Sequence, residues 1–542
     1  MKPAIVIPWR STGPDREMAL ERTKKALSSI LPDAPIFLSD DGSEIFNRSG
    51  SRNKGVKEAK DAGYDTVVVC DADTIPQKRP VLEALEDCYK DGRLHLPYTK
   101  CYLLAKNNSV RLETTHSVGG VWVMRIDAWE RIGGQYEGFT GWGYEDDAFN
   151  LAACTILGET VRHEGLIKCQ WHEEEWVWGS EPYQANRRLY HLMKALSRDP
   201  ELLDGFLHGE DVGVLPLEKQ KKIAAFAHYS APKKNAGSEV MLHEMLVALR
   251  KRGHHVRLYA TENPNPNYRE PHEHDGIEIF EAKRVDAVNL ILEWNPDVII
   301  AHHKNIDYIH RPARKAGIPW VMVAHNDRAY TAAHIKNNPD LIAVNTRWIP
   351  NKHEALYRGR NHIVVHPPVY AEDHRTNRGD CITLVNTSKF KGAEIFYWLA
   401  EKLPEMKFLA VEGAYEDQIF KKLPNVEFVK HTSNMSRDVW SRTKLLLMPS
   451  EYESYGMVGV EAMASGIPVV ATPTPGLIES LSFAGTFVER DDKEGWLNVV
   501  RSLMTDEELY SHASAMASSR SAQINPDEEL RNWVEAVEQI IR

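Results

Sequence analysis

The sequence predicts an α/β chain of several units, and three observations carry that prediction. Its 542 residues, at about 150 per domain, call for three or four domains. Two stretches, separated by a polar break, each alternate short β-branched runs with helical segments, the βαβ rhythm of a mostly parallel sheet. Hydrophobic residues make up 42% and charged residues 26%, so the chain can bury several cores and is not disordered as a whole.

In the first region, strands are predicted at Ala4–Ile7, Ile36–Ser39 and Thr66–Cys70, with helices near Glu17–Ser29 and Arg52–Ala62. The rhythm runs to about Ser197. Leu203–Gln220, with Gly205, Gly209, Gly213 and Pro216, then reads as a linker. A second fold starts with a strand at Ile223–Ala227, an amphipathic helix at Gly237–Arg250 and a strand at Val256–Ala260, followed by the polar loop Glu262–Pro271. Asp297–Ala301 and Trp320–Ala324 continue that sheet. A boundary near His366-Pro367-Pro368 precedes a third unit with strands at Ile382–Asn386, Lys407–Val411, Leu445–Met448 and Pro468–Ala471. Asn525 is expected to cap a last helix whose apolar face is Leu530, Trp533, Val534, Val537, Ile540 and Ile541. The expected domains are 1–205, a linker 206–220, then 221–370 and 371–542. No short-period repeat is present.

Several functional classes are disfavoured. Lys plus Arg is 66 against Asp plus Glu 77, a formal charge of -11, so the overall field repels phosphate backbones. No apolar stretch approaches the roughly 20 residues of a membrane helix, and the N-terminus lacks a long apolar signal region, which reads as a soluble, cytoplasmic protein. The six cysteines form no C-x-x-C pair, so neither a disulfide framework nor a zinc site of that kind is expected. Tryptophan is the compositional oddity at fourteen, with Trp122, Trp129, Trp142, Trp171, Trp176 and Trp178 in one stretch. Flat indoles suit stacking on sugars or bases, and they equally suit cores.

Asp71 and Asp73 follow the strand Thr66–Cys70, two carboxylates whose hard oxygens suit Mg²⁺ or Mn²⁺ bridging a diphosphate. Further on come Gly119-Gly120 and then Gly141-Trp142-Gly143-Tyr144-Glu145-Asp146-Asp147. Over roughly residues 3–195 the chain thereby resembles GT-A glycosyltransferases of the galactosyltransferase-like and N-acetylgalactosaminyltransferase-like group. The resemblance implies that Asp71 and Asp73 hold metal and nucleotide diphosphate, with His172 completing the metal shell and His163 as the spare candidate. It assigns nucleotide contacts to Asp40 or Asp41 and to Arg52-Asn53. Asp146 becomes the base that takes the acceptor proton, Trp142 packs over the sugar, and Glu145 or Asp147 holds acceptor hydroxyls. The chemistry agrees: a sugar hydroxyl of high pKa needs a positioned base, and clustered carboxylates raise one another's pKa.

The third unit carries Pro449-Ser450-Glu451-Tyr452-Glu453-Ser454-Tyr455-Gly456, followed by Glu461-Ala462-Met463-Ala464-Ser465-Gly466. Over roughly residues 221–542 this is similar to retaining GT-B glycosyltransferases with two glutamates seven residues apart. The similarity places Glu453 at the donor sugar, Glu461 on the ribose hydroxyls, and the Tyr455-Gly456 amides at phosphate oxygens. His325 matches the family histidine by the donor sugar, Gly237 the glycine loop, and Lys391 the diphosphate lysine. Where the family has an arginine, this chain has Asn386, which weakens diphosphate binding unless Lys389 substitutes.

The expectation is therefore a GT-A nucleotide-sugar-binding fold followed by a GT-B pair of Rossmann-like domains, in one bifunctional glycosyltransferase. It would use nucleotide sugars, UDP-sugars first, with Mn²⁺ or Mg²⁺ at the first site only, and would be inverting at the first and retaining at the second. The acceptor is any hydroxyl bearer: a glycan, a lipid-linked sugar, a protein or a modified DNA base. Two rivals stay open. In one, only the GT-A half is catalytic; in the other, the protein is a carbohydrate-binding assembly factor.

Overall fold

The computed structural model describes residues 1–172, 179–414 and 417–541; Trp176 and Trp178 lie outside the described residues. It divides into two compact units, Met1–Leu215 and Pro216–Arg542.

In the first unit a six-stranded sheet runs in the order Ile36–Ser39, Pro3–Pro8, Thr66–Cys70, Val121–Arg125, His95–Leu96, Val161–Arg162. Pro3–Pro8 pairs in parallel with both neighbours, Ile5 opposite Ile36 and Val68, whereas Val121–Arg125 runs antiparallel to Thr66–Cys70. Every residue of Thr66–Cys70 is buried, so the apolar run TVVVC is a central strand with both faces covered. A second, four-stranded sheet joins Thr74–Pro76, Leu166–Cys169, Lys100–Leu104 and Val110–Thr114.

The helix expected from Arg52 begins four residues earlier, at Arg48, because Asn47 accepts the Gly50 amide and caps it there. The stretch read as a linker is helical at its start: Pro200–Leu207 is a helix capped by Asp199, and Leu203 is wholly buried beside Phe139, Leu192 and Met193. The glycines that suggested a break lie in and after this helix.

The second unit holds two parallel sheets. The first has eight strands, with Lys222–Ala227 at its centre between His255–Ala260 and Val298–His302, and Trp320–Ala324 beyond the latter. Only His272–His274, on one edge, runs antiparallel. The other sheet has six strands ordered Val426–Val429, Phe408–Val411, Cys381–Val385, Thr443–Met448, Val469–Ala471, Gly485–Phe487, all parallel.

The final helix, Pro526–Ile540, packs on the first of these sheets and not on the second. Leu530, Trp533, Val534 and Val537 share a core with Ile223, Val256 and Met245, and the Trp533 indole donates to the Met245 carbonyl at 3.0 Å. Asn525 stands at its N-cap position, but its side chain makes no capping bond. All six cysteines are free thiols. Among the described residues no helix is long and apolar enough to cross a membrane.

Candidate functional site

In the first unit Asp71 follows the buried strand Thr66–Cys70 and donates its amide to the Gly120 carbonyl. The strand Leu166–Cys169 pairs antiparallel with Thr74–Pro76, which carries His172 back beside Asp73; His172 Nε2 and Asp73 Oδ2 are 3.1 Å apart. The imidazole holds the Asp73 carboxyl below the usual range against the opposing effect of burial.

Gly141-Trp142-Gly143 leads into the helix Glu145–Leu157, whose first turn carries Glu145, Asp146 and Asp147 at the positive end of the helix dipole. Gly143 has φ +107°, and a Cβ there would meet the Tyr183 ring at 2.9 Å. That close approach lets Trp142 stack on Tyr183, with centroids 5.9 Å apart and planes 16° apart.

One guanidinium joins the two acidic groups. Arg52, 0% exposed, donates to Asp71 Oδ1 at 2.6 Å, to Asp146 Oδ1 at 2.9 Å and to Gln135 Oε1 at 3.0 Å, and its guanidinium lies 4.4 Å from the Trp122 ring centroid. Burial opposes the charge, yet Asp71, Asp146 and Glu145 raise its pKa further. Arg48, one turn earlier, donates to Glu145 Oε1 at 3.1 Å. Burial, reinforced by Glu145 and Asp71, pushes Asp146 up to about 7 despite Arg52. Burial likewise raises Asp147.

These groups surround a cleft of about 540 Å³ lined by Asp71, Asp73, His172, Trp142, Glu145 and Asp146. Arg16, Arg48 and Arg111 line it too; the sequence reading missed them. Arg48 was legible once Asn47 is recognised as a cap, since residues four apart share a helix face. Arg16 and Arg111 carried no sequence signal.

Other expected residues lie elsewhere. Asp40 is clamped by Arg10, at 2.8 and 2.5 Å, which holds its carboxyl down to about 2. Asp41 accepts from the Ser51 hydroxyl and the Ser43 and Asn47 amides. Neither lines the cleft, nor does the enclosed Arg52. His163 is not in the cleft: it pairs with buried His95 at 2.9 Å, and His95 with Asp91 at 2.9 Å. Trp122 and Trp129 are core residues, whereas Trp142 and Trp171 line the cleft.

In the second unit, Glu453 precedes the helix Met457–Ala464, which carries Glu461. Lys391 Nζ lies 2.5 Å from Glu453 Oε1, and Ser450 donates to the same oxygen at 3.1 Å. Asn345 ties two loops together, donating to the His325 carbonyl at 3.0 Å and to the Ser454 hydroxyl at 3.1 Å. Gly237 opens its helix against the Met457 side chain, where a Cβ would lie 3.3 Å from the sulfur. Gly456 is the N-cap of the Glu461 helix, while Tyr455 is buried with its ring 5.3 Å from that of His366. Burial raises the Glu461 carboxyl, with His374 opposing.

Asn386 takes φ 69°, a left-handed conformation that asparagine tolerates better than arginine. Its Oδ1 accepts the Ser388 amide and the Gln418 side chain, so it closes a turn and reaches no partner in the Lys391–Glu453 pair. Lys389 is exposed, 4.0 Å from Glu394. Arg490, unremarked in the sequence reading, donates to the carbonyls of Pro449 and Lys389 at the edge of this site.

Three family models match the chain. One described as the N-terminal domain of galactosyltransferase matches residues 99–163, Glycosyltransferase Family 4 matches 236–385, and Glycosyl transferases group 1 matches 390–506. The first spans Gly119 and Asp146; Asp71, Asp73 and His172 lie outside it. A D-inositol 3-phosphate glycosyltransferase from Corynebacterium urealyticum is 28% identical over 99 residues, 18% of this chain and 23% of that protein. Mannosylfructose-phosphate synthase from Agrobacterium fabrum is 33% identical over 86 residues, 16% of this chain and 19% of that protein. The chain thus spans about a fifth to a quarter of the length of the curated relatives it matches. Among solved structures, Anabaena HepE in complex with UDP-glucose gives a TM-score of 0.49 at 14% identity, covering 59% of this chain and 100% of that one. Both compact units carry glycosyltransferase-family domains.

Proposed function

We propose that this chain, whose two units are built from glycosyltransferase-family domains, is a bifunctional glycosyltransferase that moves sugars from nucleotide-sugar donors, UDP-sugars first, to hydroxyl acceptors. The observation that carries the reading is the convergence of Asp71, Asp73, His172, Trp142, Glu145 and Asp146 on one cleft.

In the first unit Asp71, Asp73 and His172 would hold Mn²⁺ or Mg²⁺. Two carboxylates and an imidazole 3.1 Å from one of them are a donor set that suits Mn²⁺. When bound, the cation neutralises charge on the leaving diphosphate. Arg16, Arg48 and Arg111 add positive charge in the same cleft. Asp146 takes the proton of the acceptor hydroxyl as that oxygen bonds to the anomeric carbon and the nucleoside diphosphate departs, inverting the centre. Its raised pKa suits a base working near neutral pH. Trp142 offers the sugar a flat face and Glu145 an acceptor for its hydroxyls.

In the second unit Glu453 and His325 face the donor sugar, Glu461 the ribose, and Lys391, Gly237 and the Tyr455-Gly456 amides the diphosphate, in a metal-independent, retaining step. Glu453 and Lys391 neutralise each other until a donor's phosphates compete for the lysine.

A second reading, in which the second unit only binds, is favoured by one observation: Asn386 closes a turn where the family has its arginine. Product mass spectrometry over a donor panel separates the two. Asp73→Ala should remove one sugar and Glu453→Ala another, and excess EDTA should remove only the first. Identical products from wild type and Glu453→Ala would establish the binding-only reading.

A further inference from the structure

Three histidines converge where the eight-stranded sheet ends. His302 closes the strand Val298–His302, His303 follows it, and His325 follows the neighbouring strand Trp320–Ala324. Successive residues of a strand point to opposite faces, so His302 and His303 should diverge. They do not, because His303 takes φ 50°, a left-handed conformation uncommon outside glycine. Its ring centroid then lies 4.6 Å from that of His302 and 4.9 Å from that of His325. One nitrogen from each of the three rings lies within 4.8 Å of the other two.

The polar bookkeeping inside the cluster does not close with protein atoms. His302 Nδ1 and His325 Nε2 are 3.0 Å apart and share one proton. His302 is 0% exposed, and its Nε2 has no hydrogen-bond partner among the described residues. Whichever tautomer His302 adopts, its Nε2 is buried and unsatisfied, a condition native proteins rarely leave without water, while Nδ1, which faces His325, is the nitrogen open to a cation on the cluster. Nearby His228, whose ring lies 5.9 Å from His302, likewise has a buried Nδ1 without a partner.

We propose that His302, His303 and His325 form a binding site for a borderline divalent transition cation, Zn²⁺ first. An all-imidazole donor set selects Zn²⁺, Cu²⁺ or Ni²⁺ over Mg²⁺ or Mn²⁺, whose preferred ligands are oxygens. At about 2.0–2.1 Å per bond, two imidazole nitrogens on a tetrahedral Zn²⁺ stand about 3.3 Å apart. The 3.0 Å between His302 Nδ1 and His325 Nε2 needs little adjustment once the shared proton moves to the other nitrogen of its own ring. Burial holds the three rings neutral, His302 and His325 well below the usual histidine range and His303 at about 4, so their lone pairs are available at neutral pH. This chemistry differs from the oxygen-rich set at Asp71 and Asp73. A cation on His325 would remove that ring from the donor sugar, so the site inhibits the second unit's step; that consequence rests on the proposed role of His325, whereas binding does not.

The test uses the full-length protein titrated with Co²⁺ and with Zn²⁺ in competition with a chromophoric chelator. Wild type should show the intense visible bands of tetrahedral cobalt, displaced by Zn²⁺. His303→Gln, at a half-buried position, should take up one equivalent less of Zn²⁺ while keeping its circular dichroism, and Zn²⁺ should raise the Tm of wild type but not of this variant. Equal uptake by wild type and His303→Gln would overturn the proposal. Should the variant fail to fold, wild type decides: absence of the tetrahedral cobalt spectrum overturns the site by itself.

Discussion

Asp146 owes its position to two residues with no reactive group of their own. Arg52, sealed beneath the cleft, fixes one carboxylate oxygen, and Gly119 makes room for the other: a Cβ at Gly119 would stand 2.1 Å from Asp146 Oδ2. Gly119→Ala must therefore displace the carboxylate. If Asp146 is the base, this substitution should cost the first transfer about 10²–10⁴-fold in rate, as Asp146→Asn should, with donor affinity by calorimetry nearly unchanged in both. The pH dependence follows from the same site. A base must act deprotonated and burial raises the Asp146 pKa, so with Asp146 in that role the rate of the proposed first transfer should climb with pH through neutrality. A rate already flat from pH 5 upward would exclude Asp146 as the base.

At the scale of elements, the last helix decides the integrity of the second unit. Its apolar face is legible in the sequence, yet the surface it covers is the sheet around Ile223 and Val256, reached only after the chain has built the other sheet. Trp533 is wholly buried there and bonded to the Met245 carbonyl. Removing it leaves a cavity and takes the indole's bond from a carbonyl that the helix Gly237–Lys251 still engages. Trp533→Ala should destabilise the second unit by about 3–5 kcal/mol, read from the shift of its denaturant midpoint. Trp533→Phe should recover most of that loss, since it restores volume and not the hydrogen bond. The helix from Arg48 teaches the same lesson at the first site: its capped start, not its apolar pattern, aligns Arg48 and Arg52 one turn apart.

At the scale of the whole molecule, the crossover between the two sheets of the second unit is held by one imidazole. His366 meets Glu479 through Nε2 and Glu529 through Nδ1, each at 2.7 Å, and Glu479 also accepts the Arg347 and Trp348 amides. The crossover, a helix of the second sheet's domain and the returning last helix are thereby joined. Burial lowers the His366 pKa, but the two carboxylates outweigh it and raise the pKa overall. The contribution to stability is thus complete below the unfolded histidine value of about 6.5 and lost as pH rises through the higher folded value. Glu479 and Glu529 are held low by His366, so their share is lost as pH falls through their depressed values. Tyr455 lies tilted against the ring, Arg347 is the cation acting on Glu529, and Arg520 acts on Tyr455 and donates to the main-chain carbonyls of Glu479 and Ser480. The unfolding midpoint of the second unit should fall as pH is raised from 6 to 9, and His366→Gln should flatten that slope. An unchanged slope would mean that the imidazole is not the group that titrates.

The sequence by itself determined what local periodicity and compact motifs can encode. The alternating runs gave the parallel sheets; the candidate residues were legible as compact motifs, Asp71 and Asp73 just after one strand, Glu145 and Asp146 at one helix start, and Glu453 and Glu461 just before and within one helix. What the chain assembles from afar was not legible. Arg16 and Arg111 reach the first cleft from separate elements, and Arg52 becomes a buried clamp only because Asp71 and Asp146 arrive on either side of it. His163, plausible by type, is claimed by His95, and the three histidines at the sheet end gather through one left-handed residue. Motif spacing fixes neighbours within a turn or two of chain; strand order and backbone handedness decide which distant side chains share a cavity, and that was settled only when the sheets closed.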